Sequence, residues 1–118
     1  MSSPLKIKTE KGLMLIDEKT ILYIEAFNKH SIIYLNNLNK IEANHSLKKM
    51  ESDLLKPTFF RIHNSFIINC SYFECIKKQK IVLKGNTCVP FSRFKKQLFE
   101  INMEKYYSLI ETLALTSK

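Results

Sequence analysis

The sequence predicts a mainly β fold with one short internal helix and a C-terminal helix. Apolar runs of strand length follow one another from about residue 13 to residue 90, separated by short polar segments. Residues 46–55 interrupt this series with apolar residues at helical spacing. The same spacing returns after residue 92, without Gly or Pro. Together these observations indicate one small β-rich domain.

The first half of the chain contains four predicted strands and the internal helix. The pair Asn36-Asn37 tolerates the left-handed conformation of a tight turn, which predicts a hairpin between the last two strands. Ser46 is the predicted N-cap of a helix that runs through Leu55 and stops before Pro57. The apolar residues of this helix are Leu47, Met50 and Leu54. The predicted strands are Leu13 to Asp17, Ile21 to Ala26, Ser31 to Leu35 and Lys40 to Ala43.

The second half of the chain contains five predicted strands and then a change of period. The pair Gly85-Asn86 predicts a two-residue hairpin turn before the last strand. Ser92 is the predicted N-cap of the C-terminal helix, or of two collinear helices. Its periodic apolar residues are Phe94, Leu98, Ile101, Leu109, Ile110 and Leu113. The predicted strands are Phe59 to His63, Phe66 to Cys70, Tyr72 to Lys77, Lys80 to Lys84 and Thr87 to Pro90.

The composition is that of an ordinary globular chain with a strong positive charge. At 118 residues, with 45% hydrophobic and 25% charged residues, the chain is expected to form one domain. A net charge of +8 and a pI near 9.4 favour acidic partners, either nucleic acid or an anionic membrane surface. The opening residues lack an apolar signal region, and no later run approaches the roughly 18 apolar residues of a membrane span. We therefore expect a soluble, cytoplasmic protein.

The positive charge is concentrated in one part of the chain. Residues 1–55 contain eight basic and seven acidic residues, whereas residues 56–96 contain nine basic residues and one acid, Glu74. A basic segment of this kind is the electrostatic footprint of a nucleic-acid binder, although a solvated strand pair has the same charge pattern. The nine basic residues are Lys56, Arg61, Lys77, Lys78, Lys80, Lys84, Arg93, Lys95 and Lys96.

Neither a metal site nor catalysis is predicted. The cysteines at 70, 75 and 88 lack CxxC spacing and are predicted to be reduced thiols in the core. No second ligand pair follows them at a spacing typical of zinc sites, even when the histidines at 30, 45 and 63 are included. A Gly-rich phosphate loop and a G-x-S-x-G motif are also missing from the sequence. We expect neither enzyme activity nor a cofactor.

Four sequence blocks follow one another in a fixed order. They are ILYIEAFNKHSIIYL at Ile21 to Leu35, HSLKKMESDL at His45 to Leu54, FFRIHNSFIIN at Phe59 to Asn69 and IVLKGNTCVPFSRF at Ile81 to Phe94. In wording, order and spacing they resemble the LytTR-type DNA-binding domain, the output module of many bacterial response regulators. The resemblance covers about residues 6–101. It implies a single domain over residues 1–118, in which 102–118 form a C-terminal helical extension.

The resemblance implies an elongated, antiparallel β-sheet arrangement that reads double-stranded DNA through loops in the major groove. Family members contact bases from the loop after the YIEA strand, from the residue after the His of RxHxS and from the Arg of PxSR. On this chain those positions are Lys29 or His30, Asn64 and Arg93. The chemistry fits, because Asn pairs bidentately with adenine and Arg with guanine.

Flexible lysines near these positions are better suited to phosphate than to bases, since an ammonium group neutralises charge without a bidentate geometry. The expected phosphate contacts are Lys77, Lys78, Lys80, Lys95 and Lys96.

The chain departs from the family pattern at two positions. Many members have Arg where Asn64 stands, which changes the base that is read. Many have a second basic residue where Phe94 stands, and its loss removes a phosphate contact. The receiver domain of a two-component response regulator is not found in the sequence, which indicates a free-standing regulator or a domain cut from one.

Self-association on DNA is implied as well, because family members bind two direct-repeat half-sites as a pair of protomers. A stripe on the last helix could pair those protomers, or could equally pack on its own sheet. The stripe consists of Tyr106, Leu109, Ile110 and Leu113.

Two other readings of the sequence remain open. The first is a protein-interaction module of the same fold without specific DNA binding. The second is a single-stranded nucleic-acid binder that stacks bases on aromatic rings. A structural, hydrogen-bonded role is expected for His63, and a core role is expected for the phenylalanines at 59, 60, 66, 73, 91 and 99.

Overall fold

The computed structural model describes residues 4–116, which form three antiparallel sheets and two α-helices. The chain begins with a hairpin of β1 (Pro4–Thr9) and β2 (Gly12–Asp17). Strand β1 was not predicted, because Lys6 and Lys8 interrupt a short opening segment that has only Leu5 and Ile7 as apolar residues. Both apolar side chains are nonetheless buried, at 7% and 0% exposure. The Leu-Lys-Ile-Lys alternation was the available signal.

A five-stranded sheet occupies the middle of the molecule. It consists of β3 (Ile21–Phe27), β4 (His30–Leu35), β5 (Lys40–Ala43), β6 (Phe59–His63) and β7 (Phe66–Asn69), in the order β5-β4-β3-β7-β6. The central strands β3 and β7 are rich in β-branched residues, and both of their faces are buried. The predicted hairpin between β4 and β5 is confirmed, but the left-handed residue of its turn is Leu38, with a φ of 73°, and not Asn36 or Asn37.

Helix α1 (Leu47–Asp53) connects β5 to β6. The predicted cap is confirmed, because the Ser46 hydroxyl accepts a hydrogen bond of 3.1 Å from the Lys49 N–H. The helix ends two residues before the predicted position. Leu54 leaves the helix with an extended ψ of 148°, and its side chain is buried at 5% exposure.

The second half of the chain forms a three-stranded sheet with the order β10-β9-β8. Its strands are β8 (Phe73–Lys77), β9 (Lys80–Leu83) and β10 (Thr87–Pro90). Leu83 pairs with Thr87, so the β9–β10 turn has three residues and not the predicted two. Gly85 and Asn86 have positive φ values of 87° and 63°, a conformation that favours Gly and Asn.

Helix α2 (Lys96–Thr116) is a single helix of 21 residues. A 3₁₀ turn at Arg93–Lys95 precedes it, and the Ser92 side chain makes no capping hydrogen bond, so the predicted side-chain cap is wrong. Instead the Ser92 carbonyl accepts a bond of 2.9 Å from the Lys95 N–H. One stripe of α2 is buried on the sheets and consists of Phe99, Met103 and Tyr106.

Two hydrophobic cores lie on opposite faces of the five-stranded sheet. The first lies between that sheet, the β1–β2 hairpin and α1, and includes Ile7, Ile24, Met50 and Ile67. The second lies between the sheet, the three-stranded sheet and α2, and includes Ile62, Ile68, Leu83, Val89 and Phe99. Adjacent residues Ile67 and Ile68 on β7 point to different cores, as the two-residue period of a strand requires.

The cysteines do not all belong to these cores. Cys70 is buried, and burial raises the pKa of its thiol to about 12 despite a hydrogen bond from Asn102. Cys75 is half-buried and belongs to neither core, and Cys88 is exposed on β10, so the prediction of three core thiols is wrong for both. Strand β10 is at the edge of its sheet, where alternate residues face solvent. The six phenylalanines predicted for the core are all buried or packed against it.

Candidate nucleic-acid interface

Three tight turns lie at one end of the sheets. Each has two residues between a cross-strand pair: Asn28-Lys29, Asn64-Ser65 and Lys78-Gln79. The Ala26 N–H donates to the Ser65 carbonyl at 2.8 Å, which places the β6–β7 turn beside the end of β3. The Phe91 N–H donates to the Gln79 carbonyl at 3.1 Å, which joins the β8–β9 turn to the segment that precedes α2.

A β-bulge in β6 connects the RIHNS and VPFSR segments. Arg61 pairs with Ile67 and His63 pairs with Phe66, so Ile62 is an extra residue on its strand. Its side chain is fully buried, and its carbonyl accepts a hydrogen bond of 3.1 Å from the Ser92 N–H. The bulge therefore holds the residue before Arg93 against the strand that leads to Asn64.

Asn64 and Arg93, 29 positions apart in sequence, line one cleft of about 410 Å³. Both side chains are exposed to solvent. The other residues of the cleft are His63, Gln79, Phe91, Ser92 and Phe94. Two of the predicted base-contacting residues thus line the same solvent-accessible depression.

Arg61 holds the turn that presents Asn64. One guanidinium nitrogen donates to the Asn64 carbonyl at 2.7 Å, and another lies 3.2 Å from the Glu51 carboxylate of α1. On the other side of the turn, the Ser65 N–H donates to His63 Nδ1 at 3.1 Å, which confirms the structural, hydrogen-bonded role expected for that histidine. No sequence pattern distinguishes Arg61 from the other basic residues of its segment.

Arg93 and Phe94 contact each other at the rim of the cleft. The Arg93 Cζ atom lies 5.3 Å from the centroid of the Phe94 ring, a cation–π distance. Among the described residues, Arg93 takes part in no ion pair with a carboxylate. Its hydrogen-bonding edge is therefore free to meet an acceptor from outside the chain.

Lys77, Lys78 and Lys80 line a groove of about 1060 Å³ next to the cleft. The groove and the cleft share His63, Gln79 and Phe91. Lys77 and Lys80 are a directly opposed cross-strand pair, and like charges in that position are destabilising. Within residues 4–116 no ion pair offsets them. A polyanion in the groove would relieve this repulsion.

The remaining predicted contacts lie outside the cleft. Lys29 and His30 are exposed at the β3–β4 turn, where Asn28 has a positive φ of 55°. Lys96 is exposed at the start of α2. Lys95 is half-buried and lines a separate groove with Arg61 and Leu98. The structure thus brings Asn64 and Arg93 together, sets three lysines beside them and leaves the other four residues on neighbouring surfaces.

Alternative sites receive no support from the described part of the chain. No group of three His, Cys, Asp or Glu side chains there could hold a metal ion. His45 Nε2 accepts a hydrogen bond of 3.0 Å from the Lys8 N–H, which ties α1's leading loop to β1. Within residues 4–116 no helix is long and apolar enough to cross a membrane.

The fold and the basic cleft at its turns are those of a DNA-binding domain built from β-strands. In the solved structures, the LytTr DNA-binding domain of a methyl-accepting/DNA response regulator from Bacillus cereus matches with a TM-score of 0.72 at 23% identity. The match covers 87% of this chain and 98% of that one. No curated protein matches the chain.

The family model for the LytTr DNA-binding domain matches residues 11–103. The chain therefore belongs to the LytTR family of DNA-binding domains, and the mainly β fold expected from the four sequence blocks is confirmed.

Proposed function

We propose that this chain is a transcriptional regulator that recognises a specific sequence in double-stranded DNA. The observation that carries the proposal is the cleft that Asn64 and Arg93 share. The Ser92–Ile62 hydrogen bond joins the two segments that carry them, and three lysines without an ion pair among the described residues line the adjacent groove. Amide and guanidinium groups match the major-groove edges of adenine and guanine, and each bidentate pair contributes about 1–3 kcal/mol of discrimination. Lys29 or His30 is the third base contact in this proposal.

The lysines at 77, 78, 80, 95 and 96 are proposed to contact phosphate. Their role is to supply affinity that depends on salt and not on sequence. The groove lined by Lys77, Lys78 and Lys80 shares His63, Gln79 and Phe91 with the cleft, so a DNA backbone in the groove would run beside the proposed base contacts.

A titration by fluorescence anisotropy tests the proposal. A duplex selected from genomic fragments should bind more tightly than a random duplex of equal length, and log K should fall linearly with log salt. Equal, weak binding of every duplex would leave only the protein-interaction reading. Preferential binding of single strands would instead favour base stacking on aromatic rings.

A pair of variants tests the separate roles of readers and lysines. Arg93→Ala should cost about 1–3 kcal/mol on the selected duplex and flatten the preference at one base pair. Lys80→Gln should weaken binding to all duplexes alike and reduce the salt slope by about 0.9. Identical behaviour of the two variants would contradict this division.

The cellular setting is part of the same proposal. As output domains of this family serve bacterial two-component systems, we place the protein in the bacterial cytoplasm, where it has access to the chromosome. It would have no catalytic activity. We further propose that two protomers bind direct-repeat half-sites and associate through α2, whose buried stripe continues as Ile110 and Leu113 at 42% and 57% exposure.

A further inference from the structure

Phe94 has an unusual position for a large apolar side chain. It is 82% exposed, and it lines the same cleft as Asn64 and Arg93. Scattered exposed apolar residues are ordinary on protein surfaces, so its exposure alone indicates nothing. Its location in the cleft that also contains two proposed base-contacting residues is what requires an explanation.

The ring also fixes the neighbouring guanidinium group. Arg93 Cζ lies 5.3 Å from the ring centroid, within the range of a cation–π interaction. An arginine held against a ring has fewer conformations to lose when it binds. Arg93 and Phe94 therefore approach a ligand as one unit with two chemically different parts, a hydrogen-bond fork and an apolar surface.

Only one group on the major-groove edge of a base pair is apolar, namely the 5-methyl group of thymine. A phenyl ring cannot donate to phosphate or to a base acceptor, and contact with this methyl group is a documented use of Phe. Successive base pairs are about 3.4 Å apart along the helix axis. The 5.3 Å between ring and guanidinium therefore spans one to two base-pair steps.

We propose that Phe94 reads the methyl group of a thymine one or two base pairs from the base pair that Arg93 contacts. This rests on the proposed function and adds a position to its recognition sequence.

Deoxyuridine tests the proposal directly, because it differs from thymine only in lacking the methyl group. Each thymine of the selected duplex is replaced in turn, and binding is measured for the full chain. At one position the wild-type protein should lose about fourfold in affinity, the factor for one buried methyl group. Phe94→Ala should bind both duplexes equally at that position, and Phe94→Leu should keep a reduced difference.

Controls separate this claim from the proposed function and from folding. Leu38→Ala removes a side chain of 92% exposure from the β4–β5 turn at the opposite end of the sheet, and it should retain the wild-type response to deoxyuridine. Specific binding with no thymine position at which wild type and Phe94→Ala differ would overturn the role of Phe94 alone. Loss of all preference for the selected duplex in the wild-type protein would overturn the proposed function itself.

Discussion

At the scale of single residues, Arg61 holds the turn that carries Asn64, a proposed base contact. It bonds to the Asn64 carbonyl and to Glu51, and so fixes the position of a two-residue turn on the scaffold of α1. Its guanidinium group is partly exposed and bonds to both partners at once. The proposed base contact of Asn64 therefore depends on Arg61, which keeps the turn in place.

Replacement of Arg61 by Ala should weaken recognition more than folding. The ion pair is partly exposed, so its loss together with the hydrogen bond should cost only about 1–2 kcal/mol of stability, measured by urea unfolding. Affinity for the selected duplex should fall about tenfold, whereas affinity for random duplex should fall little. Glu51→Gln keeps the Arg61–Asn64 bond and should keep the discrimination. An equal loss of discrimination in both variants would contradict the role of Arg61 in fixing the turn that carries Asn64.

Glu18 is a buried residue that serves neither recognition nor a salt bridge in the described structure. Its side-chain Oε2 atom has no hydrogen-bond partner there. Burial raises the pKa of its carboxyl group above 4.5, with a smaller rise from Asp17, while a bond from the Leu55 backbone N–H lowers it. The charged form is therefore disfavoured in the folded state.

The stability of the protein should fall relative to a Glu18→Gln variant as the pH rises. A raised folded-state pKa favours the protonated form, so the carboxyl group stabilises the fold below pH 4.5 and loses that contribution as it ionises above it. Urea unfolding at pH 4 and at pH 7 measures both proteins. A difference between the two that is independent of pH would show that the pKa of the Glu18 carboxyl group is the same in the folded and the unfolded protein.

At the scale of elements, the bulge in β6 is the feature that assembles the site. Ile62 directs its carbonyl out of the ladder towards Ser92, while its side chain fills the second core. Ile62 therefore contributes both to the stability of the core and to the arrangement of the proposed binding site. The hydrogen bond can be removed without touching any proposed contact, because only the backbone N–H of Ser92 is involved.

Ser92→Pro should release the segment that carries Arg93 from the strand that leads to Asn64. The Ser92 φ of −78° suits proline, so the substitution removes the N–H without forcing the local backbone. Stability should fall by about 1 kcal/mol. Discrimination between selected and random duplex should decrease by about an order of magnitude, since Arg93 is no longer held relative to Asn64. Ser92→Ala keeps the N–H, and its side chain makes no capping bond, so it should bind as the wild type does.

The sequence predicted most elements but not the contacts between them. Strands such as β3 and β7 have long β-branched apolar runs, and α1 has a Ser cap and helical spacing, so local signals sufficed. Strand β1 was missed because two buried side chains, Leu5 and Ile7, are its whole signal. The bulge at Ile62 bonds to Ser92, 30 residues away, and Arg61 pairs with Glu51, 10 residues away. No local sequence pattern encodes either contact.

At the scale of the whole molecule, the proposed readers and the stabilising interior are separate. The two cores fill both faces of the five-stranded sheet, whereas Lys29 and Asn64 lie in turns at its end and Lys78 lies in a turn of the three-stranded sheet. Helix α2 is divided in the same way. Its apolar side chains Phe99, Met103 and Tyr106 are buried, whereas Ile110 and Leu113 beyond them are exposed. The division into a core at residues 6–101 and an extension at 102–118 remains a prediction.

The exposed end of α2 should govern self-association on DNA. The double variant Ile110→Glu, Leu113→Glu should bind a single half-site as tightly as the wild type, and its thermal stability should change little, since both positions are exposed. On a duplex with two direct repeats it should lose the cooperative gain of the second protomer, because buried charge opposes an apolar contact. Analytical ultracentrifugation of the complexes measures the stoichiometry. Unchanged cooperativity would exclude α2 as the contact between protomers.

The two-residue turns are positions at which this domain can vary without disturbing its interior. Each turn lies between a cross-strand pair and its side chains belong to neither core, although the positive φ values of Asn28 and Lys78 restrict the residues that suit those two positions. A change at position 64 alters one candidate contact and leaves every buried side chain in place. Relatives could therefore differ in the promoters they recognise through substitutions at a few surface positions. Libraries randomised at these turns would be a direct way to select variants that bind other operators.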